Sequence, residues 1–389
     1  MAKKEFLKGF GFSSIMNFLR RGKIREKKIA KFDENQTFVP SQTNLKAAAL
    51  HPKAQEGTLV EITPMGDKGN IYTFQSDGFA FFRAGQYVNI RLNYGKSIIA
   101  RPISIVSSPS EALEGKLSLA IASNPNGYFA AKAPELLQLY KTFEFSGPSG
   151  DFYYSSTRDE PHVIAAAGGI GITPIISMAK AILEGSEDFK LTILYGVKNE
   201  KEAVFAPILN EICGKTDKVS FRLFYENKGE YITSLAIKAE AGNRPYSLFV
   251  CGPQGMYEAF DKIAKELGLD QKHYRKEIFG SIKSLESIPS YPGSKQKTYK
   301  GIIHMVDKIY EMELPYDQPI LYALEKEGIA TPNRCRGGIC GYCRGRILKG
   351  EVYIPEIGDG RREEDKKKGY AHLCMTYPLS DVEIEIPAP

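Results

Sequence analysis

Cys335, Cys340 and Cys343 stand in the run Cys-Arg-Gly-Gly-Ile-Cys-Gly-Tyr-Cys, and Cys374 follows about thirty residues later. Thiols at C-x4-C-x2-C with a distant fourth have the ligand spacing of a [2Fe–2S] cluster. Each iron takes two thiolates, so three ligands come from one tight loop and the fourth from a segment packed over it. Gly337, Gly338 and Gly341 in the same loop lack Cβ atoms. They can take positive φ and bring N–H groups to the sulfides. Such a cluster moves electrons one at a time. A structural zinc site brings two close cysteine pairs, whereas Cys374 stands alone. Disulfides are not expected: Cys213 and Cys251 lie in a different stretch of the chain, and the N-terminus does not read as a secretory signal.

Four other stretches carry chemistry. In Gly168-Gly169-Ile170-Gly171-Ile172-Thr173-Pro174, glycines follow an apolar run and precede a periodic one. Thr173 suits a helix N-cap and Pro174 the first helical position. Amides of such a loop, together with a helix N-terminus, favour a diphosphate. By itself a glycine-rich turn is weak evidence; between a buried strand and a helix it becomes stronger. Cys251-Gly252-Pro253 ends a later apolar run, where ligands gather on a parallel sheet. Its plainer reading is a turn holding a small buried cysteine. Arg101-Pro102-Ile103-Ser104 offers a guanidinium for bidentate phosphate binding and a hydroxyl close by. Gly127 and Tyr128, in Asn-Gly-Tyr-Phe-Ala, open a predicted helix running through Leu137 and form another candidate phosphate site.

The elements that must position these residues differ along the chain. Residues 53–157 contain about six short β-branched and aromatic runs separated by turns, the pattern of an antiparallel β-barrel. Residues 158–280 alternate buried apolar strands with helical stretches near 203–213, 231–240 and 256–267, the pattern of a parallel α/β domain. Residues 281–297 have little periodicity and read as a linker, and 298–389 form a small third unit with the four clustered cysteines.

The chain has 389 residues and a net charge of +6, room for two to four domains. Much of the excess lies before residue 32, where Lys3, Lys4, Lys8, Arg20, Arg21, Lys23, Arg25, Lys27, Lys28 and Lys31 face only Glu5 and Glu26. Elsewhere the charges nearly balance, so nucleic-acid binding is not expected. Phenylalanines and leucines at 6–19 make residues 1–31 a basic amphipathic segment, within an extension spanning 1–52. It reads either as an extension packed on its own protein or as a contact for a membrane surface or partner. No run of eighteen apolar residues occurs, so no helix is expected to span a membrane. Residues 361–368 read as a solvated charged stretch. His372, two residues before Cys374, is not expected to bind iron, since four thiolates already suffice.

In their order, Arg-Pro-Ile-Ser, the glycine at 127, Gly-Gly-Ile-Gly-Ile-Thr-Pro with Cys-Gly-Pro, and the cluster cysteines resemble the ferredoxin–NADP reductase superfamily fused to a C-terminal plant-type ferredoxin, as in oxygenase reductases. The resemblance covers about residues 55–389. It implies a multidomain α/β plus β fold: a flavin-binding barrel, a parallel nucleotide-binding domain and a β-grasp ferredoxin domain. It implies FAD, with FMN as the alternative, and NADH or NADPH, with a lean to NADH. Arg101, Pro102, Ile103, Gly127 and Tyr128 would hold the flavin, and Ser104 would approach its N5. Gly168, Gly169, Gly171 and Thr173 would hold the nucleotide diphosphate. Cys251 and Gly252 would border the nicotinamide. Glu277 and Phe279 would close the module beside the flavin, and Ser104, Cys251 and Glu277 would serve catalysis. Cys335, Cys340, Cys343 and Cys374 would hold the cluster. Two positions depart from the family: Ile103 replaces its aromatic residue, and Ala130 stands where a serine is common. The implied activity is a cytoplasmic reductase passing electrons from NAD(P)H through flavin and cluster to a redox partner, such as a terminal oxygenase or another reductase. The alternative is a non-autonomous electron-transfer subunit like that of dihydroorotate dehydrogenase, which Arg-Pro-Ile-Ser also resembles.

Overall fold

The structure is a computed structural model that describes residues 20–27, 41–50, 52–125, 127–278, 280, 282 and 284–387. It divides into two compact units, Met1–Ala49 and Leu50–Pro389. In the first, residues 20–27 are helical and exposed. The rest of the basic segment expected at 1–31 lies outside the described residues. A helix at Gln42–Leu50 follows.

The second unit opens with an antiparallel sheet of β1 (Ala54–Pro64), β2 (Gly69–Gln75), β3 (Tyr87–Tyr94), β4 (Ser97–Ser104), β5 (Lys116–Ala122) and β6 (Thr142–Ser146), in the order β4-β3-β6-β1-β2-β5. Alternate residues point inward, as a period of two demands. Tyr72 and Phe74 of β2 and Leu117, Leu119 and Ile121 of β5 fill one core, where Phe74 meets Phe145 edge-on at 4.8 Å. The sheet curls until its ends meet: Ile105 bridges Leu119, and Val106 N–H donates to Ser118 O at 2.9 Å. The helix expected from Tyr128 starts later, at Ala133. Residues 127–132 form successive turns instead, with Ala131 N–H bonded to Gly127 O and Ala133 N–H to Phe129 O. Pro134, with φ fixed and no N–H to satisfy, begins the regular helix.

Next come β7 (His162–Gly168), β8 (Lys190–Val197), β9 (Val219–Tyr225), β10 (Ser247–Cys251) and β11 (Tyr274–Glu277). They form a parallel sheet ordered β11-β10-β7-β8-β9. Beyond His162, strand β7 is apolar because both faces are covered. Val163, Ala165 and Ala167 pack in one core with the helix Thr173–Leu183; Ile164 and Ala166 pack in another with the helices Ser234–Ala241 and Gln254–Glu266. The chain builds outward from β7 to β9 and then returns to the other side at β10. The crevice for a ligand therefore lies at the carboxyl ends of β7 and β10.

The third sheet contains β12 (Thr298–Met305), β13 (Lys308–Pro315), β14 (Arg344–Lys349), β16 (Tyr370–His372) and β18 (Val382–Ile386), ordered β13-β12-β18-β14-β16. A short pair, β15 (Val352–Tyr353) and β17 (Tyr377–Pro378), stands beside it. The sheet grips the helix Ile320–Lys326 through Ile320, Leu321 and Leu324. The expected linker is packed down as well: Ile282 and Leu285 are buried in this same core. Among the described residues, no helix is long and apolar enough to cross a membrane.

Candidate functional site

The loop after β7 is a 3-10 turn, Gly169–Ile172, that runs directly into the helix Thr173–Leu183. The N-cap expected at Thr173 is not observed. The preceding turn places Thr173 inside the helical path, and its hydroxyl donates to Ile170 O at 3.1 Å. Gly169 takes φ +53°. A Cβ on Gly171 would stand 2.3 Å from Cys251 O and 2.7 Å from Gly252 N. One on Gly168 would stand 2.6 Å from Pro253 Cδ, and one on Gly252 would stand 3.1 Å from Gly168 N. The glycines thus let the loops after β7 and β10 pack backbone on backbone at the N-terminal end of an eleven-residue helix. This is a cradle suited to a diphosphate.

At the same end of the sheet, Cys251 pairs in register with Glu277. Both are buried. The Ser104 hydroxyl, at the end of β4 in the barrel, hydrogen-bonds the Glu277 carboxyl, whose Oε2 has no partner. Tyr257 OH donates to Glu277 O, and Gly252 N–H donates to Tyr257 OH at 3.2 Å. Burial pushes the Glu277 carboxyl well above the usual carboxylate range, and Cys335 adds to the effect. Burial also pushes the Cys251 thiol far up, with Glu277 contributing. Ser104, Cys251 and Glu277 therefore meet as neutral groups that can donate hydrogen bonds. A thiol held neutral is not a nucleophile.

A cleft of about 270 Å³ lies between barrel and ferredoxin domain. Arg101, Pro102, Ile103, Gly127, Tyr128 and Ala130 line one side, and Tyr322, Arg336 and Cys374 the other. The Arg101 guanidinium sits 4.9 Å from the Tyr322 ring centre. Its Nη1 donates to both oxygens of Glu325 at 2.9 Å, while its Nη2 is buried without a partner. A buried donor on a fixed cation, bordering a mostly apolar cleft, fits the phosphate of a flavin.

The thiols meet as two pairs, Cys335 with Cys340 and Cys343 with Cys374. The hydrogen bond from Cys340 lowers the Cys335 pKa, aided by N–H groups of Cys340, Gly337 and Ile339. Among the described residues no three ligating side chains converge on a single ion. Two pairs are what a two-iron cluster needs. The loop is wound through positive φ at Arg336 (51°), Gly338 (80°) and Gly341 (73°). A Cβ on Gly338 would meet Gly358 O at 1.9 Å, and one on Gly337 would meet Ile278 O at 2.5 Å. His372 lies next to the thiols but turns Nδ1 to Gly338 O. Phe279 lies outside the described residues.

Sequence reasoning missed Glu325, Arg336, Tyr322 and Tyr87. Tyr87 is buried beside Glu277, and charges on Cys335 and Cys340 raise its pKa after burial itself. The first three come from the ferredoxin domain, over two hundred residues from Arg101, and no local pattern marks them.

Residues 56–154 match the family described as an oxidoreductase FAD-binding domain, 166–262 an oxidoreductase NAD-binding domain, and 304–379 a 2Fe-2S iron-sulfur cluster binding domain. The chain is 25% identical to the glycine betaine monooxygenase reductase subunit of Chromohalobacter salexigens, covering 78% of this chain and 87% of that protein. It is 24% identical to the ferredoxin reductase component of 3-ketosteroid-9-alpha-monooxygenase of Mycobacterium tuberculosis, covering 77% and 84%. The solved structure of phthalate dioxygenase reductase superposes with a TM-score of 0.65 over 86% of this chain and 98% of that one, at 17% identity.

Proposed function

We propose that the chain, with its FAD-binding, NAD-binding and [2Fe–2S] domains in that order, is a flavin-dependent, NAD(P)H-oxidising reductase of the ferredoxin–NADP reductase type that delivers single electrons to a terminal oxygenase component. Bound flavin and cluster supply the conversion of a two-electron hydride into single electrons. The relatives point to the acceptor class, since glycine betaine monooxygenase, 3-ketosteroid-9-alpha-monooxygenase and phthalate dioxygenase are all oxygenases by name.

In this reading the working domains are 53–157, 158–280 and 298–389, joined by 281–297. Gly168, Gly169, Gly171 and Thr173 hold the nucleotide diphosphate, and Cys251 and Gly252 border the nicotinamide. Arg101 and the turn at Gly127 and Tyr128 hold the flavin phosphate, while Pro102 and Ile103 cover the ring. Ser104 is fixed by Glu277, whose neutrality keeps negative charge away from an incoming hydride. Cys335, Cys340, Cys343 and Cys374 hold the cluster. NADH is the proposed donor, and the residues after β8 and β9 include an exposed pair, Lys228 with Glu200 at 2.6 Å. The cytoplasm, which keeps thiols reduced for cluster assembly, is the proposed setting.

The observation that carries this reading is the junction at Glu277–Ile278. There β11 of the nucleotide domain meets Ser104 of the barrel on one residue and packs Ile278 O against Gly337 of the cluster loop on the next. The test is anaerobic addition of NADH to the flavin- and cluster-loaded chain. The flavin band bleaches first and the cluster band follows, and added ferricyanide is reduced with turnover. If neither NADH nor NADPH bleaches the flavin, the reading is wrong.

A further inference from the structure

Glu325 lies on the helix Ile320–Lys326 of the ferredoxin domain, yet its carboxylate is almost wholly engaged with other elements. From the barrel, Ala100 N–H donates to Oε1 at 3.2 Å, and Arg101 Nη1 donates to both oxygens at 2.9 Å. From the cluster loop, Arg336 Nη1 donates to Oε2 at 3.3 Å and Nη2 to Oε1. The carboxylate side chain is 5% exposed, Arg336 6% and Arg101 13%. The helix backbone is tied to the same hairpin, for Ser97 Oγ donates to Glu325 O at 2.6 Å.

Two guanidiniums around one carboxylate leave a buried surplus of one positive charge. Such a surplus is costly unless an anion answers it. Cys374 of the cluster set faces Arg336, so the open donor is what locates a further anion. Arg336 has used its remaining nitrogen as well, since Nε donates to Asn333 Oδ1 at 3.2 Å. Arg101 Nη2 is the donor left over, buried and without a partner, and Arg101 and Arg336 line the same cleft.

We propose that Glu325 is a positioning residue that fixes the Arg101 guanidinium for the flavin phosphate and ties that phosphate site to the cluster loop through Arg336. The proposal rests on the reading of Arg101 as the phosphate ligand. It has a sign that simple charge arithmetic would reverse. Removing a carboxylate near a bound phosphate should tighten binding if charge alone matters. Removing the group that orients the cation should weaken it.

The test compares FMN with riboflavin, which lacks the phosphate, on the full chain stripped of flavin but with its cluster intact. The ratio of the two affinities isolates the phosphate contact. In Glu325→Gln this ratio falls at least tenfold while riboflavin affinity stays within twofold. An unchanged or larger ratio, or an equal fall for both flavins, overturns the proposal. Arg101→Gln separates the two readings. If it leaves the ratio unchanged, the Arg101 assignment itself fails. If it collapses the ratio and Glu325→Gln does not, only the role of Glu325 fails. Should Glu325→Gln not fold, Glu325→Asp keeps the charge but shortens the reach. It lowers the ratio at least threefold, and no change there also overturns the proposal.

Discussion

Gly171→Ala tests the nucleotide loop most directly. The new Cβ would lie 2.3 Å from Cys251 O, 2.6 Å from Cys251 C and 2.7 Å from Gly252 N. All three are backbone atoms in a strand end held by its register with β7 and β11. None can swing away as a side chain would. Relief requires the loop to rise from β10 by about 1 Å, and a misplacement of that size costs about 100-fold in reactions that depend on orientation. kcat/KM for NADH therefore falls about 100-fold, or ~2.7 kcal/mol, while flavin and cluster absorbance stay unchanged. Gly169→Ala is the control. It takes φ +53° with nothing within 4 Å of its Cβ, so it carries strain of ~1–2 kcal/mol without a clash. Its kcat/KM stays within a few-fold of the parent. Anaerobic stopped-flow reduction of the flavin across NADH concentrations measures both. Equal behaviour of the two variants, or a Gly171→Ala value within threefold of the parent, would refute the argument.

Gly338→Ala puts a Cβ 1.9 Å from Gly358 O at φ +80°, so the purified variant lacks iron and the visible cluster bands; a full-strength cluster would contradict the loop geometry. Asp159→Ala strands Arg158 and Arg275 around a fully buried site and removes the acceptor for Ser155 N–H, a loss of ~3–5 kcal/mol read by urea unfolding of the nucleotide domain. His162 donates or accepts through Nε2 with Thr192 Oγ1 at 3.0 Å, and burial lowers its pKa to about 4, with Arg244 and Lys190 adding to the shift. Between pH 6.5 and 4 the unfolded chain binds a proton there that the folded chain does not. Stability contributed by the neutral ring is thus complete above pH 6.5 and falls by up to ~3 kcal/mol as pH drops to 4. His162→Gln flattens that part of the urea midpoint against pH; an unchanged slope would rule His162 out.

Much of the architecture could be read from residue order. β7, β8 and β10 are apolar runs because a parallel strand is covered on both faces, and that signal needs no partner to interpret. The cluster cysteines were legible for a similar reason: three of the ligands are local in sequence. What escaped notice depends on distant contacts. Glu325 sits in Ile-Leu-Tyr-Ala-Leu-Glu-Lys, where a glutamate ordinarily faces water, and it is the arginines of the barrel and the cluster loop that make it a buried residue. β11 reads Tyr-Arg-Lys-Glu, too polar to announce a strand, because it lies at the sheet edge and pairs only with β10. At Thr173 the local rule for an N-cap lost to the 3-10 turn before it, a geometry set by the close approach of Cys251.

The segment before β12 bears on how such reductases can be recombined. Ile282 and Leu285 are buried with Leu314, Tyr353 and Tyr377 in the ferredoxin core, and Ser290 Oγ and Tyr353 OH are hydrogen-bonded at 2.8 Å. A transplant of the electron-exit module that began at Thr298 would leave its own apolar floor uncovered. The exchangeable cassette starts at Ile282, so what looks like a tether between modules is the part the module must carry with it.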